Sequence, residues 1–275
     1  MQLANRFAYG SPSLRSSHAL QDEEIARVAP SIFAAEAHDS RSQRYTYIPT
    51  IEVLRGLRRE GFEPFMVCQT RVRNEDKREH TKHMIRLRHA DQINGSEANE
   101  IILLNSHDGT SSYQMLAGMF RFVCQKGMVC GGTLNDIRVP HKGDVVGQVI
   151  EGAFTVLDSF ERADEQRESM KALRLNDGEQ NAFARAALAL KYDDETPAPI
   201  SEAQLLTARR FEDRSGDLWT TFNRVQENLT KGGLVGRGRS GRATRTRPVN
   251  GIDQNVKLNR ALWVLADELR RLRAA

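Results

Sequence analysis

Apolar and polar positions alternate with two distinct rhythms along this chain. Ile51, Leu54 and Leu57 recur at helical spacing and are followed by Gly61, which predicts a helix from Thr50 to Glu60 with Thr50 as its N-cap. From Phe62 to Arg73 the period shortens to two, setting Met66, Cys68, Thr70 and Val72 against Gln69, Arg71 and Arg73. A charged turn follows, and a second alternating run sets Ile85 and Leu87 against Lys82, Met84, Arg86 and Arg88. Two such runs around a short polar turn predict an antiparallel hairpin. Ile101 to Leu104 is apolar on both faces, as in a strand buried on both sides, and leads into the turn Asn105-Ser106-His107-Asp108-Gly109. A further apolar segment runs to Gly131, and Ile137 to Pro140 is short and extended.

Helical spacing then takes over. One helix is expected from Val145 to about Leu175, with Val146, Val149, Ile150, Phe154, Leu157 and Phe160 at helical spacing, and further helices are expected over Glu179 to Leu190, Leu218 to Thr230 and Asp253 to Arg273. A short helix is expected from Leu20 to Val28, its early acids suiting a helix N-terminus. The fold class is therefore α+β: an antiparallel sheet of three or more strands with a preceding helix, followed by a mainly helical C-terminal half. The expected division is a sheet domain over 1–144 and a helical region over 145–275, with an Arg/Gly-rich loop at 232–251 inside it.

Composition narrows the classes. Among 275 residues, 28% are charged and 39% hydrophobic, ordinary for a globular protein. No apolar run approaches the roughly 18 residues of a membrane span, and the first residues lack a secretory core, so a cytoplasmic protein without a membrane partner is expected. Cys68, Cys124 and Cys130 form no CxxC and read as buried thiols. The net charge of +4 is concentrated. Arg237, Arg239, Arg242, Arg245 and Arg247 stand between Gly232 and Gly251 with no acid, and the other 35 basic residues face 36 acidic ones.

Two constellations offer chemistry. His107, Asp108, His141 and Asp144 sit in two turns, and such residues could bind a divalent cation or act as base and orienter, although Asp-Gly is also ordinary turn chemistry. His80 and His83 form an HxxH whose rings fall on opposite faces of a strand and do not share a metal. There is no GxxxxGK[ST], no GxGxxG after a strand and no GxSxG, and no cofactor is expected. The second constellation is cationic. Arg41, Arg44, Tyr45 and Tyr47 interleave arginine with tyrosine, suiting phosphate contact and base stacking. Arg71, Arg73, Lys82, Arg86 and Arg88 are expected on one outward sheet face, where like charges repel unless an anionic partner offsets them. Together with the five arginines of the loop they point to nucleic acid, single-stranded DNA in particular. The alternatives are a protein that binds a host factor through the acidic and apolar helical half, and a metal-dependent nuclease built on the His/Asp turns. The pattern does not fix an oligomeric state.

At RSQRYTYIPT, IILLNSHDGTSSYQM, FRFVCQKGMVCG, IRVPHKGD, DLWTTFNRVQEN and NRALWVLA the chain resembles, nearly end to end, a family of uncharacterised bacterial proteins carried by plasmids and prophages, whose shared domain has no known function. The resemblance implies a mobile-element origin and assigns no catalytic residue. At the level of element order alone, a helix, an antiparallel meander and a following helix are similar to the core of single-strand annealing recombinases, which hold DNA in a basic groove beside such a sheet.

Overall fold

The computed structural model describes residues 12–36, 47, 49–71, 77–89, 93–94, 97–109, 111–121, 126–129, 137–139, 143–193 and 195–274. It divides into two compact units, 1–160 and 161–275.

The first unit is built on an antiparallel sheet. Its strands are β1 (Ser13–Arg15), β2 (Phe62–Gln69), β3 (His83–His89), β4 (Ile93–Asn94), β5 (Glu97–Asn105), β6 (Tyr113–Arg121), β7 (Lys126–Val129) and β8 (Ile137–Val139). The order is β1-β2-β3-β5-β6-β7, with β4 beside β5 and β8 beside β6. Helices α1 (Asp22–Val28), α2 (Thr50–Arg59) and α3 (Val145–Asp158) share a core with one sheet face, where Leu54, Leu57, Val149 and Ala153 join Val67, Ile85, Leu87, Ile101 and Leu103. Helix α3 packs in this core and so belongs to the first compact unit. Gly152 belongs to this packing: a Cβ there would come within 2.2 Å of the Met115 side chain.

The expected α+β architecture and the pairing of β2 with β3 are present, but the assignment of faces in β2 is corrected. A register irregularity between Pro64 and Met66 places Met66 opposite Arg86 and Cys68 opposite Met84, so these residues share a face with the arginines, and Val67 turns to the helices. Nor is that second face open to water. The sheet curls until Arg86 of β3 donates to the Met128 carbonyl of β7 at 3.3 Å, and Arg15 of β1 lies 5.1 Å from the Phe120 ring of β6. All nine residues of β5 are buried, as its two-sided apolar run implies.

Inside this curl lies the buried ion triad. Glu100 accepts from Arg86 Nη1 at 2.6 Å and from Arg88 Nε at 2.9 Å, and its own residue exposure is nil. Arg88 is also held between the Phe65 and Phe120 rings at 4.3 and 4.2 Å. The outward basic face expected at Arg86 and Arg88 is therefore corrected: both are buried, and the charge that offsets their repulsion is the protein's own carboxylate on the next strand. Beside them, burial pushes the Cys68 thiol up to about 12, so it rests as an inert thiol.

The second unit holds α4 (Phe160–Ala172), α5 (Asp177–Ala189), α6 (Glu202–Leu205), α7 (Leu218–Lys231), a hairpin of β9 (Val235–Arg237) and β10 (Ala243–Arg245), and α8 (Ile252–Ala274). Its centre is aromatic: Trp219 stacks on Phe222 at 5.6 Å and meets Trp263 of α8 edge-on at 6.3 Å. Gln226 of α7 donates to Asn259 of α8 at 2.7 Å, satisfying buried amides across the same pair.

Removing Glu100 alone should be more damaging than removing the whole triad. Glu100→Leu leaves two buried guanidinium groups without their carboxylate and is expected to cost about 3–5 kcal/mol in urea denaturation. The combined replacement Arg86→Met, Arg88→Met and Glu100→Leu should recover most of that loss.

Candidate functional site

Two places in the molecule concentrate chemistry: a buried polar row in the first unit and an exposed cationic hairpin in the second. The buried one grows from a row across the sheet in the first unit. Gln69 stands opposite His83 in the β2-β3 pair, and His83 stands opposite Asn105 in the β3-β5 pair. These are positions of the helix-facing parity occupied elsewhere by Val67, Ile85 and Leu103. Thr50, the first residue of α2, and Ser31 bring hydroxyls down onto the row, and His107 and Tyr113 enter from the β5-β6 connection and the start of β6. All seven side chains are buried.

The hydrogen bonds have one consistent direction. Gln69 donates through Nε2 to the Arg78 carbonyl at 2.7 Å, so its Oε1 accepts from the Ser31 hydroxyl at 2.8 Å and backbone N–H at 3.0 Å. With its proton so used, the Ser31 hydroxyl accepts from His83 Nδ1 at 2.8 Å. The Thr81 carbonyl, 3.3 Å from the same nitrogen, favours the proton there too. His83 Nε2 is then bare and accepts from the Thr50 hydroxyl at 2.9 Å. Thr50 in turn accepts from Asn105 Nδ2 at 3.0 Å, and His107 Nε2 at 3.2 Å and the Tyr113 hydroxyl at 3.3 Å share its one remaining lone pair. A single hydroxyl thus bridges two imidazoles. Burial, and secondly the neighbouring His107, hold His83 well below the ordinary histidine range, so it stays neutral.

This placement revises the His/Asp reading. His107 is brought to His83 and Thr50, while Asp108 beside it in sequence is partly exposed and Asp144 caps α3 by accepting from the Gly147 N–H at 2.9 Å. His141 lies outside the described residues. Among the described residues no three His, Cys, Asp or Glu side chains gather as metal ligands. His83, dismissed in the HxxH pattern, and Thr50, expected only as a cap, are the residues that sequence reasoning missed. The available signal was a polar residue at the helix-facing parity of three strands at the same sheet end.

The exposed place is hairpin β9-β10 in the second unit. The Arg/Gly stretch expected as a flexible loop is a paired hairpin, with Arg237 opposite Ala243 and Arg245 opposite Val235. Each strand arginine thus faces a small or apolar residue rather than another cation, which lowers cross-strand repulsion. The hairpin is stitched to the preceding segment: Arg237 N–H donates to the Pro199 carbonyl at 2.9 Å and Gln204 Nε2 to the Val235 carbonyl at 2.8 Å. Gly236 makes this possible, since a Cβ there would lie 1.9 Å from the Pro199 oxygen. Arg237, Arg239, Arg242, Arg245 and Arg247 are all exposed.

The family is settled by comparison. A model described as a domain of unknown function, DUF932, matches residues 37–263. The chain belongs to the DUF932 family. Two relatives from Escherichia coli (strain K12) match this DUF932 protein over 98% of its length and 97% of theirs: UPF0380 protein YfjQ at 58% identity and UPF0380 protein YafZ at 56%. No solved structure matches it with significance.

The other cationic candidates in this DUF932 chain separate. Arg71 is exposed and Lys82 partly exposed, Arg86 and Arg88 are buried, and Arg41, Arg44, Tyr45 and Arg73 lie outside the described residues. Tyr47 is engaged in the fold, donating its hydroxyl to the Ala34 carbonyl with its ring edge-on to His107 at 5.0 Å.

The buried row makes stability depend on pH and on one hydroxyl. Because the folded His83 binds its proton more weakly than the unfolded one, its contribution is intact above the unfolded value near 6.5 and is lost as pH falls below it. Melting temperature measured from pH 8 to pH 5 should therefore fall on the acid side, with a limiting slope of about 1.4 kcal/mol per pH unit for this proton. Thr50→Val, which strands its neighbours' polar atoms, should cost about 1–3 kcal/mol in denaturant unfolding, and Thr50→Ser much less.

Proposed function

We propose that this protein binds nucleic acid, single-stranded DNA in the first instance, through the β9-β10 hairpin and the chain that follows it. The observation that carries the reading is that Arg237, Arg239, Arg242, Arg245 and Arg247 are exposed on an ordered element and, among the described residues, none has a carboxylate partner. The contrast within the same unit is sharp: Arg185 lies 3.1 Å from Glu202, and Arg210 lies 2.6 Å from Glu227 and 2.7 Å from Asp213. Arginine presents a fixed fork of donors that suits phosphate oxygens. Five such groups without internal anions create a local positive field that a polyanion neutralises while releasing its counterions.

Placing the interface here changes which residues would act. Arg86 and Arg88 serve the interior of the curled sheet, so the phosphate contacts fall to the hairpin, with Arg71 as an exposed cation of the first unit. The process in which such binding would serve is recombination, strand annealing or establishment of a plasmid or prophage.

Binding of a labelled single-stranded oligonucleotide should be readily measured at low salt and weaken as salt rises, by about 0.7 in log affinity per log salt for each phosphate contact. Replacing all five hairpin arginines with alanine should remove up to five contacts, lowering the slope by up to about 3.5 and weakening binding at least tenfold at low salt. Unchanged affinity and slope in this variant would overturn the reading.

A further inference from the structure

The second unit carries an aromatic side chain that its core does not use. Phe211 is 76% exposed, although the centre of its unit buries Phe222, Trp219 and Trp263 almost completely. Phenylalanine is among the residues most often found inside, and its exposure leaves a large apolar face in water. The face is not on a loose segment. Phe211 begins a short 3-10 turn, Phe211–Asp213, that is pinned from both ends. On one side Arg209 donates to Asn228 Oδ1 at 2.6 Å and to the Gly232 carbonyl at 2.7 Å, and Gly232 is the residue from which the chain leaves α7 for the hairpin. On the other, Asp213 is buried and accepts from Arg210 at 2.7 Å, while Arg210 also reaches Glu227 on α7.

The ring's immediate neighbour is a cation. The Arg214 guanidinium lies 5.2 Å from the Phe211 ring centroid and is itself exposed. The same segment upstream is stitched to the hairpin through the Pro199 carbonyl and Gln204. A held, exposed ring with a guanidinium against it, on the segment that anchors a five-arginine hairpin, combines the two groups that a single strand offers partners for: a base face and a phosphate.

We infer that Phe211 is a base-stacking platform, and that it gives the second unit its preference for single-stranded over duplex nucleic acid. The inference rests on the reading that this unit binds nucleic acid and deepens it by naming the substrate class. In a duplex the bases are stacked on one another and their faces are closed to a protruding ring, whereas a single strand presents them. Arg214 beside the ring adds a charge where the backbone of a stacked nucleotide would run. Glu212, exposed next to the ring, works against it electrostatically, so its removal should strengthen binding.

The test uses the full-length chain, a labelled oligothymidylate and a duplex of mixed sequence. Phe211→Ala should weaken oligothymidylate binding about tenfold or more and leave duplex binding and the salt slope unchanged, because stacking is lost and no phosphate contact is. Phe211→Trp should keep the affinity, and its exposed indole emission should be quenched as the oligonucleotide saturates, against the buried background of Trp219 and Trp263. Wild-type affinity in Phe211→Ala, or unquenched emission in Phe211→Trp at saturation, overturns the platform. If Phe211→Ala binds normally while the arginine variant is weakened, the platform falls and the hairpin stands. If Phe211→Ala is weakened while the arginine variant binds normally, the hairpin assignment falls and the platform stands. If the wild type binds neither probe at low salt, both fall.

Discussion

The carboxylate of Glu100 is the constraint on which the sheet depends. It sits on the central strand β5, wholly removed from water, and accepts from Arg86 and Arg88 one strand away. Two cations converge on this one anion, and the π faces of Phe65 and Phe120 on either side of Arg88 stabilise its guanidinium further. The curl of the sheet brings the Met128 carbonyl to Arg86, which donates to it at 3.3 Å. An ion triad of this kind is costly to dehydrate, and its geometry therefore specifies one register of β3 against β5 rather than adding simply to stability.

Much of the architecture was legible from period alone. Apolar spacing located α2, α5, α7 and α8 and ran α3 and α4 together as one helix, and the two-sided run at Ile101 to Leu104 marked β5 as the buried strand. What period could not show was which face of the hairpin is inside. Arg86 and Arg88 look outward in a one-dimensional pattern because charge usually marks the wet side. The decisive residue, Glu100, lies 12 residues beyond Arg88 in sequence and meets it only through strand pairing. The irregularity at Pro64/Met66 compounds the difficulty, since one extra residue exchanges every subsequent side chain between faces.

The chemistry was legible in a different proportion. His107 stands out in its turn, but its partners are Thr50 and His83, 57 and 24 positions away, rather than the adjacent Asp108. The polar row at Gln69, His83 and Asn105 follows from register, a property of pairs of strands and not of any one of them. By contrast the arginine cluster from Arg237 to Arg247 could be read directly from the sequence, because its significance is local: no acid is interleaved, and none folds back onto it among the described residues. What the sequence did not show is that this stretch pairs as a hairpin, with Gly236 admitting the Pro199 carbonyl against the strand.

That docking has a consequence for proteolysis. By sequence, Arg237, Arg239, Arg242 and Arg245 give this stretch four closely spaced tryptic sites, Arg247 being protected by Pro248, and in a mobile loop they would be cut readily. A protease must draw several residues of extended backbone into its own cleft, and here the backbone of β9 is already engaged by β10 on one side and by the Pro199 carbonyl and Gln204 on the other. Cleavage after Arg237 must wait for the hairpin to open, so its rate under limiting trypsin reads how tightly that contact holds the cationic edge in place.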